Sequence, residues 1–181
     1  LSIHSFPTRR SSDLFLTKMI SKDDKPSLKE LQSQAGALTV AGSETTATSL
    51  SGITYYLSRN ENVYKKLALE IRGTFENYEQ IDSRSTLTLP YLKAVIDEGL
   101  RIYPPIAIGL PRVSPGETVD GHYIPKDTTV FTSMWAATHS EENFHRALEF
   151  IPERWIDPDC QDQKLASQPF LIGSRVCLGR Q

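Results

Sequence analysis

The residue types that could do chemistry are concentrated around Cys177, near the C-terminal end of the sequence. The run Phe170–Gly179 reads FLIGSRVCLG, so that glycines and an arginine surround the cysteine. Glycine lets the backbone approach a sulfur closely, and nearby amide N–H groups and a guanidinium stabilise a thiolate. Such a thiolate is either a metal ligand or a nucleophile, and a nucleophile needs a base, usually histidine. No histidine is close in sequence, but folding could bring one, so both uses stay open here.

A long helix is predicted before this loop, from Leu28 to about Ser58. Ser27 and Glu30 have the spacing of a capping box, which predicts the start of the helix. Residues at alternating steps of three and four share one face of this helix. Several side chains on that face are unusually small: Ala35, Gly42, Thr45, Ser49 and Gly52. A buried helix face normally carries larger apolar side chains. The small face therefore indicates that something flat or bulky comes close to this helix.

Two further helices and a region of short strands complete the predicted fold, which is mainly α with a small β region. The second helix runs from Asn60, a candidate N-cap, to about Phe75, with Val63, Leu67 and Ile71 inward. The third runs from Pro90 to about Tyr103 and is stopped by two prolines. Glycine, proline and β-branched residues between positions 106 and 133 predict strands, and Asp120-Gly121 predicts a tight turn.

Composition excludes several classes of protein. The chain has 181 residues with 20 Lys+Arg and 22 Asp+Glu, and its net charge of -2 argues against a nucleic-acid partner. Two cysteines, Cys160 and Cys177, cannot build a disulfide framework. No apolar run reaches the ~20 residues that a membrane-spanning helix needs.

The loop around Cys177 resembles the haem-binding loop of the cytochrome P450 family, whose pattern is F-x-x-G-x-R-x-C-x-G. Every fixed position is met, by Phe170, Gly173, Arg175, Cys177 and Gly179. The resemblance implies a haem b cofactor with Cys177 as the thiolate ligand of its iron. It further implies that Phe170 packs near the sulfur and that Arg175 pairs with a haem propionate. Arg112 resembles a second propionate partner.

The segment Ala41–Thr46, which reads AGSETT, resembles the oxygen-activation motif of the same family. The resemblance implies that Ala41 and Gly42 lie against the haem and that Glu44 and Thr45 are catalytic. An acid beside a hydroxyl can relay protons to bound dioxygen. The haem would then explain the small helix face.

Two other motifs resemble the family's structural landmarks. Glu98 and Arg101 match the E-x-x-R pair, and Pro152–Trp155, PERW, resembles P-E-R-F with tryptophan in place of phenylalanine. The resemblance implies a network of Glu98, Arg101 and Arg154 that holds the core beneath Cys177; the alternative is a solvated ion pair. Ile106 and Ala107 lie where the family lines its substrate pocket, although a plain β-core is equally compatible.

The resemblance covers residues 15–181 and is closest to fungal microsomal members. It implies the C-terminal part of the cytochrome P450 fold, incomplete because family members have about 500 residues, well above the usual single-domain size. We therefore expect a partial haem domain that is truncated at both ends and inactive alone. Residues 1–14 resemble a translated sequencing adapter, which predicts a disordered, non-native leader.

The implied activity is that of a haem-thiolate monooxygenase, which oxidises an apolar small-molecule substrate with dioxygen. Electrons would come from NADPH–cytochrome P450 reductase, at the cytosolic face of the endoplasmic reticulum membrane. One alternative is a haem-thiolate isomerase or dehydratase, against which the Glu44-Thr45 pair argues. The other is a helical domain that binds no haem and has no catalytic role.

Overall fold

The computed structural model describes residues 26–180, and the predicted leader at residues 1–14 lies outside them. The chain divides into two units, Leu1–Glu44 and Thr45–Gln181, each of which is described by itself. Helix α1, Leu28–Arg59, begins in the first unit and ends in the second. No helix among residues 26–180 combines the length and the apolar character needed to cross a membrane.

The start of α1 is set by the predicted capping box. The Glu30 carboxylate accepts two hydrogen bonds from Ser27, one from its amide N–H at 2.7 Å and one from its hydroxyl at 2.8 Å. The Ser27 hydroxyl in turn accepts the amide N–H of Glu30 at 3.3 Å. Because the first amides of a helix have no partner within it, this reciprocal bonding fixes where α1 begins.

Two helices carry the core of the second unit: α2, Glu61–Thr74, and α3, Pro90–Ile102. Val63 and Leu67 of α2 are buried as predicted, and Ile71 packs against the cluster that they form with residues of α3. The ring of Tyr56 stacks on that of Phe150, with the centroids 5.2 Å apart. The apolar faces of the helices thus meet as their periodicity predicts.

Asn60 is the N-cap residue of α2, as the sequence predicts, and its carbonyl oxygen accepts the amide N–H of Tyr64 at 3.0 Å. Asn60 directly precedes α2, but its side chain makes no capping hydrogen bond to that helix. Its amide group instead donates to the carbonyl oxygen of Tyr56 at 2.7 Å, near the end of α1. A carbonyl in the last turn of a helix has no partner within it, so the side chain of Asn60 closes the preceding helix while its backbone begins the next.

The N-terminus of α3 is capped from another helix. The Glu70 carboxylate, on α2, accepts the amide N–H groups of Tyr91 and Leu92, both at 2.8 Å. A carboxylate at a helix N-terminus satisfies orphan amides and interacts favourably with the helix dipole. The contact fixes the start of the helix that carries Glu98 and Arg101. The stretch between α2 and α3 contains the 3₁₀ turns Tyr78–Gln80 and Thr86–Thr88.

The β region consists of two short antiparallel pairs. Strand β1, Arg112–Val113, pairs with β4, Thr129–Val130, so that Arg112 lies opposite Val130. Strand β2, Glu117–Val119, pairs with β3, His122–Ile124. Asp120 and Gly121 join β2 to β3 with φ values of 49° and 76°, which is the tight turn that the sequence predicts.

The remaining described chain is short helix and loop. Helix α4, Met134–Thr138, is followed by 3₁₀ turns at Pro152–Trp155, Lys164–Ala166, Gly173–Arg175 and Leu178–Arg180. The predicted class, mainly α with a small β region, is therefore confirmed. The second unit places two functional segments, the PERW turn and the Cys177 loop, on irregular backbone rather than on long helices.

Glycines in the helices allow close packing at two points. A Cβ at Gly52 would lie 2.6 Å from Cδ1 of Tyr103, and one at Gly99 would collide with the side chain of Ile53. The sequence analysis attributed the whole small face of α1 to the haem. At Gly52, however, the lack of a side chain makes room for Tyr103. No atom lies within 4 Å of the Cβ position at Gly42.

Replacing Gly99 by alanine should destabilise the complete protein. The added methyl group forces Ile53 aside, and overpacking a filled core costs about 1–3 kcal/mol. Gly73→Ala is the matched control, because Gly73 lies in α2 with no atom within 4 Å of its Cβ position. The urea midpoint of unfolding should fall for Gly99→Ala and stay level or rise for Gly73→Ala. Equal midpoints for the two variants would contradict this packing.

Candidate functional site

The loop around Cys177 is held by its own backbone. The amide N–H of Cys177 donates to the carbonyl oxygen of Phe170 at 2.8 Å, and that of Val176 donates to Gly173 at 3.2 Å. Gly173 has a φ of 80° and Leu171 a φ of 61°, so the chain turns sharply through the left-handed region. Glycine adopts this region without steric cost, which explains its place at 173. The turn brings the cysteine back beside the start of the loop.

The sulfur of Cys177 is exposed and is hydrogen-bonded by backbone. The amide N–H of Gly179 donates to Sγ at 3.4 Å. A free cysteine ordinarily serves as a small buried apolar side chain. Cys177 does not have this role, because it is exposed. The recorded partner of Sγ is this amide and not a histidine, so the general base of a cysteine nucleophile is not found among residues 26–180.

The Cys177 loop fits a metal ion that receives most of its ligands from a prosthetic group. No group of three or more His, Cys, Asp and Glu residues in the described part of the chain could hold a metal ion. The Cys177 sulfur is a soft ligand of the kind that suits iron. A porphyrin would bring the remaining ligands of the iron with it. A haem held by the Cys177 thiolate fits the residues present.

Glu98, Arg101 and Arg154 are brought together by the fold. Arg101 donates to the Glu98 carboxylate from Nε at 2.8 Å and from Nη2 at 2.9 Å. Arg154 donates from Nε to the same carboxylate at 3.2 Å. Glu98 and Arg101 are fully buried and the Arg154 side chain is 3% exposed, so the solvated-pair alternative is wrong. The bidentate Arg101 pair fixes geometry as well as charge.

Arg101 also ties the following loops to α3. Its Nη1 donates to the carbonyl oxygens of Thr138 at 2.7 Å and Ala147 at 2.8 Å, and its Nη2 donates to Glu149 at 3.0 Å. The guanidinium carbon lies 5.1 Å from the centroid of the buried Phe144 ring. A buried charge that satisfies all its donors in this way holds the surrounding backbone in one arrangement.

Two members of this network were missed by the sequence analysis. The indole N–H of Trp155 donates to the Glu98 carboxylate at 2.9 Å, a contact that phenylalanine could not make. The Asp162 carboxylate pairs with Arg154, and the two side chains are 5% and 3% exposed. Trp155 could have been found from its departure from the P-E-R-F motif. Asp162 lies in a polar stretch without a motif, so no sequence signal marked it.

Among the described residues, neither of the predicted propionate partners, Arg112 and Arg175, forms a hydrogen bond with Cys177. Arg112 is exposed on β1, and its Nη1 donates to the carbonyl oxygens of Leu110 at 3.3 Å and Pro111 at 3.0 Å. Arg175 is exposed within the Cys177 loop. Pairing of either guanidinium with a propionate stays a prediction.

The predicted substrate-pocket residues lie between α3 and β1. Ile106 and Ala107 are both exposed, which disfavours the β-core alternative. The carbonyl oxygen of Ala107 accepts the amide N–H of Trp135 at 3.0 Å, so this segment is anchored at the start of α4. Contact with a substrate stays a prediction.

The predicted oxygen-activation motif lies on α1 and falls in both units. Ala41, Gly42 and Glu44 are exposed in the first unit, and Glu44 is its last residue. Thr45, the first residue of the second unit, is half-buried, and its carbonyl oxygen accepts the hydroxyl of Ser49 at 2.9 Å. The roles of these four residues stay predictions.

The fold is mainly helical, and it presents one exposed cysteine in a glycine-bounded loop. The sequence profile described as Cytochrome P450 matches residues 4–181. The chain belongs to the cytochrome P450 family, and membership implies a haem cofactor. The predicted foreign origin of residues 1–14 stays a prediction.

Named relatives and solved structures agree with this assignment. The chain is 44% identical over 174 residues to cytochrome P450 monooxygenase BOT4 of Botryotinia fuckeliana, covering 95% of this chain and 33% of that protein. It is 44% identical over 159 residues to averantin hydroxylase of Dothistroma septosporum, covering 86% and 30%. A zebrafish cytochrome P450 structure with abiraterone matches at a TM-score of 0.79 and 27% identity, covering 93% of this chain and 40% of that one. The chain thus spans about a third of the length of these curated relatives.

Glu98→Ala should remove most folded holoprotein, because it leaves two buried guanidinium groups without their shared partner. Loss of one partner of a buried pair costs about 3–5 kcal/mol. Glu149→Ala is the matched control: Glu149 and Arg146 have the same i, i+3 spacing, but their side chains are 53% and 54% exposed. Haem content and the urea midpoint of the complete protein should drop for Glu98→Ala alone. Similar values for both variants would show that the buried pair contributes no more than an exposed one.

Proposed function

We propose that the complete protein is a haem-thiolate monooxygenase of the fungal microsomal type, with haem b bound through Cys177. The observation that carries the proposal is the exposed Cys177 sulfur, which accepts the Gly179 amide N–H in a loop bounded by glycines. Bound haem supplies the oxidising chemistry, and the protein supplies binding, orientation and electrostatics. The relatives, of which several are named monooxygenases and one a hydroxylase, support the same activity.

The residues of this chain divide the work between holding the haem and delivering protons. Cys177 would bind the haem iron through its thiolate and would supply electron density to it. Arg112 and Arg175 would pair with the propionates, since a guanidinium matches a carboxylate in shape and charge. Phe170 would pack near the sulfur; it is half-buried, and its carbonyl oxygen accepts the Cys177 amide N–H.

On α1, Glu44 and Thr45 relay protons from solvent to the oxygen site. Glu44 is exposed and supplies the acid, and the half-buried Thr45 next to it supplies the hydroxyl. Ala41 and Gly42 leave room beside them, and no atom lies within 4 Å of a Cβ at Gly42. The acid–hydroxyl pair favours a monooxygenase over the isomerase or dehydratase alternative, which needs no proton delivery to dioxygen.

The substrate is an apolar organic molecule that contacts the exposed Ile106 and Ala107. The other reactants are dioxygen and electrons from NADPH through NADPH–cytochrome P450 reductase. We place the protein at the cytosolic face of the endoplasmic reticulum membrane, in line with its likeness to fungal microsomal members. A helical domain without haem is disfavoured by the family membership and by the open thiolate loop.

Cys177→Ala should abolish the thiolate-shifted Soret band of the reduced, carbon monoxide-bound complete protein, since the described residues offer no other soft ligand at this loop. Cys160→Ser is the matched control, because it replaces the chain's other cysteine and keeps a hydrogen-bond donor there. The control should retain the band. A thiolate-shifted band in Cys177→Ala would remove the basis of the proposed function.

Thr45→Ala should leave haem binding intact and lower the product formed per dioxygen consumed, with the difference released as hydrogen peroxide. General acid catalysis contributes about 100-fold or more to a rate, so loss of the relay lets unproductive release compete. Thr54→Ala, at an exposed position on the same helix, is the control and should match the wild type. Oxygen-electrode and peroxide assays with reductase and NADPH make the measurement. Unchanged coupling in Thr45→Ala would exclude this residue from proton delivery.

A further inference from the structure

The buried network is not charge-balanced by the motif residues alone. Glu98 carries one negative charge, and Arg101 and Arg154 carry two positive charges, all at side chains exposed by 3% or less. An uncompensated buried charge is costly. The fourth charged group is Asp162, whose carboxylate pairs with Nη1 of Arg154 and whose side chain is 5% exposed. With Asp162 included, two acids and two guanidiniums balance.

Asp162 is held by several donors at once. Its Oδ1 accepts a hydrogen bond from the amide N–H of His145 at 2.8 Å, and its Oδ2 accepts one from Arg154. Burial by itself raises the pKa of this carboxyl, but the His145 amide and the Arg154 guanidinium outweigh burial, so the pKa of Asp162 lies below its usual value. The side chain is therefore a carboxylate at neutral pH.

The other end of Arg154 connects Asp162 to the helix core. Arg154 donates from Nε to Glu98 at 3.2 Å and from Nη1 to the carbonyl oxygen of His145 at 2.9 Å. Its guanidinium carbon lies 5.9 Å from the centroid of the Phe144 ring. Arg154 thus bridges a carboxylate of α3 and a carboxylate of the polar segment at residues 157–168.

That polar segment leads directly into the Cys177 loop. Next to Asp162, the amide N–H of Gln163 donates to the carbonyl oxygen of Asn143 at 2.7 Å. The side-chain amide of Asn143 donates in turn to Ala137 at 2.9 Å. Lys164–Ala166 then forms one 3₁₀ turn, and Phe170 follows shortly after it. Asp162 is the charged anchor of this segment.

We propose that Asp162 is a positioning residue: as the fourth charge of the buried network, it fixes the segment that presents the Cys177 loop. Through this contact the buried network of Glu98, Arg101 and Arg154 determines the position of the Cys177 thiolate relative to the haem. The proposal rests on the proposed function for its haem, whereas the Asp162–Arg154 pair itself does not depend on it.

The test compares Asp162→Asn with Asp159→Asn in the complete protein. Asparagine keeps the shape and one acceptor oxygen, but it removes the charge and puts an NH₂ group in place of the other acceptor, so the pair with Arg154 is broken. Asp159 is the matched control, because it is exposed in the same segment. We expect the folded-to-unfolded ratio of Asp162→Asn to fall on the order of 100-fold, the result of breaking a buried pair. Urea unfolding measures this ratio without reference to catalysis.

The second readout is the spectrum of the haem-loaded protein that remains folded. If Asp162 positions the loop, the folded Asp162→Asn protein loses much of its thiolate-shifted carbon monoxide band and gains that of haem without the thiolate. A residue that merely stabilises the fold would lower the yield and leave this spectrum unchanged. Absence of the thiolate band in the wild type would instead contradict the proposed function. The unfolding measurement would still test the Asp162–Arg154 pair.

A double-mutant cycle tests whether the charge acts through Arg154. In an Arg154→Gln background, Asp162→Asn should cost little more, because its partner charge is already gone. Additive effects, a wild-type midpoint and spectrum for Asp162→Asn, or equal losses in Asp159→Asn would each overturn the proposal. Loss of all folded holoprotein in Asp162→Asn alone would match a residue that merely stabilises the fold, and it would therefore also count against the positioning role.

Discussion

The Glu98 carboxylate is the group on which the second unit depends. It is fully buried, and its two oxygens accept hydrogen bonds from Arg101, Arg154, the Ile151 amide and the Trp155 indole. A carboxylate without these donors would be too costly to bury. No buried side-chain nitrogen or oxygen atom among the described residues lacks a partner. The fold therefore has to bring α3, the loop before Pro152 and the PERW turn together, because only that arrangement satisfies the charge.

The protein separates a rigid buried framework from an exposed chemical group. The network side chains are almost inaccessible, whereas the Cys177 sulfur is open and is held by short-range backbone hydrogen bonds. An exposed loop of this kind has few packing contacts of its own. Its position must come from the segments on which it stands, which is why the Arg154–Asp162 contact matters for the thiolate. Stability and chemistry are thus located in different residues.

A second set of contacts locks α3 from its N-terminal side. Glu70 caps the helix, and the Tyr91 hydroxyl donates at 2.9 Å to Glu153, which also accepts Lys66 at 2.5 Å. Burial, together with this hydrogen bond to Glu153, raises the pKa of Tyr91, so the phenol stays a donor at neutral pH. Glu153 and Arg154 are adjacent, and they connect the same turn to both ends of α3. Each half-buried contact here is weaker than the Glu98 pair, because water screens it.

The sequence by itself determined the features that depend on local chemistry. Helical periodicity and the Ser27–Glu30 box located α1, Asp120-Gly121 located the hairpin turn, and the glycines around Cys177 located the turn that exposes this cysteine. Each of these follows from backbone preferences or from neighbours a few residues apart. Tertiary structure alone decided that Glu98 and Arg101 are buried, that Asn60 closes α1, and that Gly52 makes room for Tyr103. It also decided that Trp155 and Asp162 join the buried charges, because charge balance and hydrogen-bond satisfaction are set across distant segments and leave no periodic trace in the sequence.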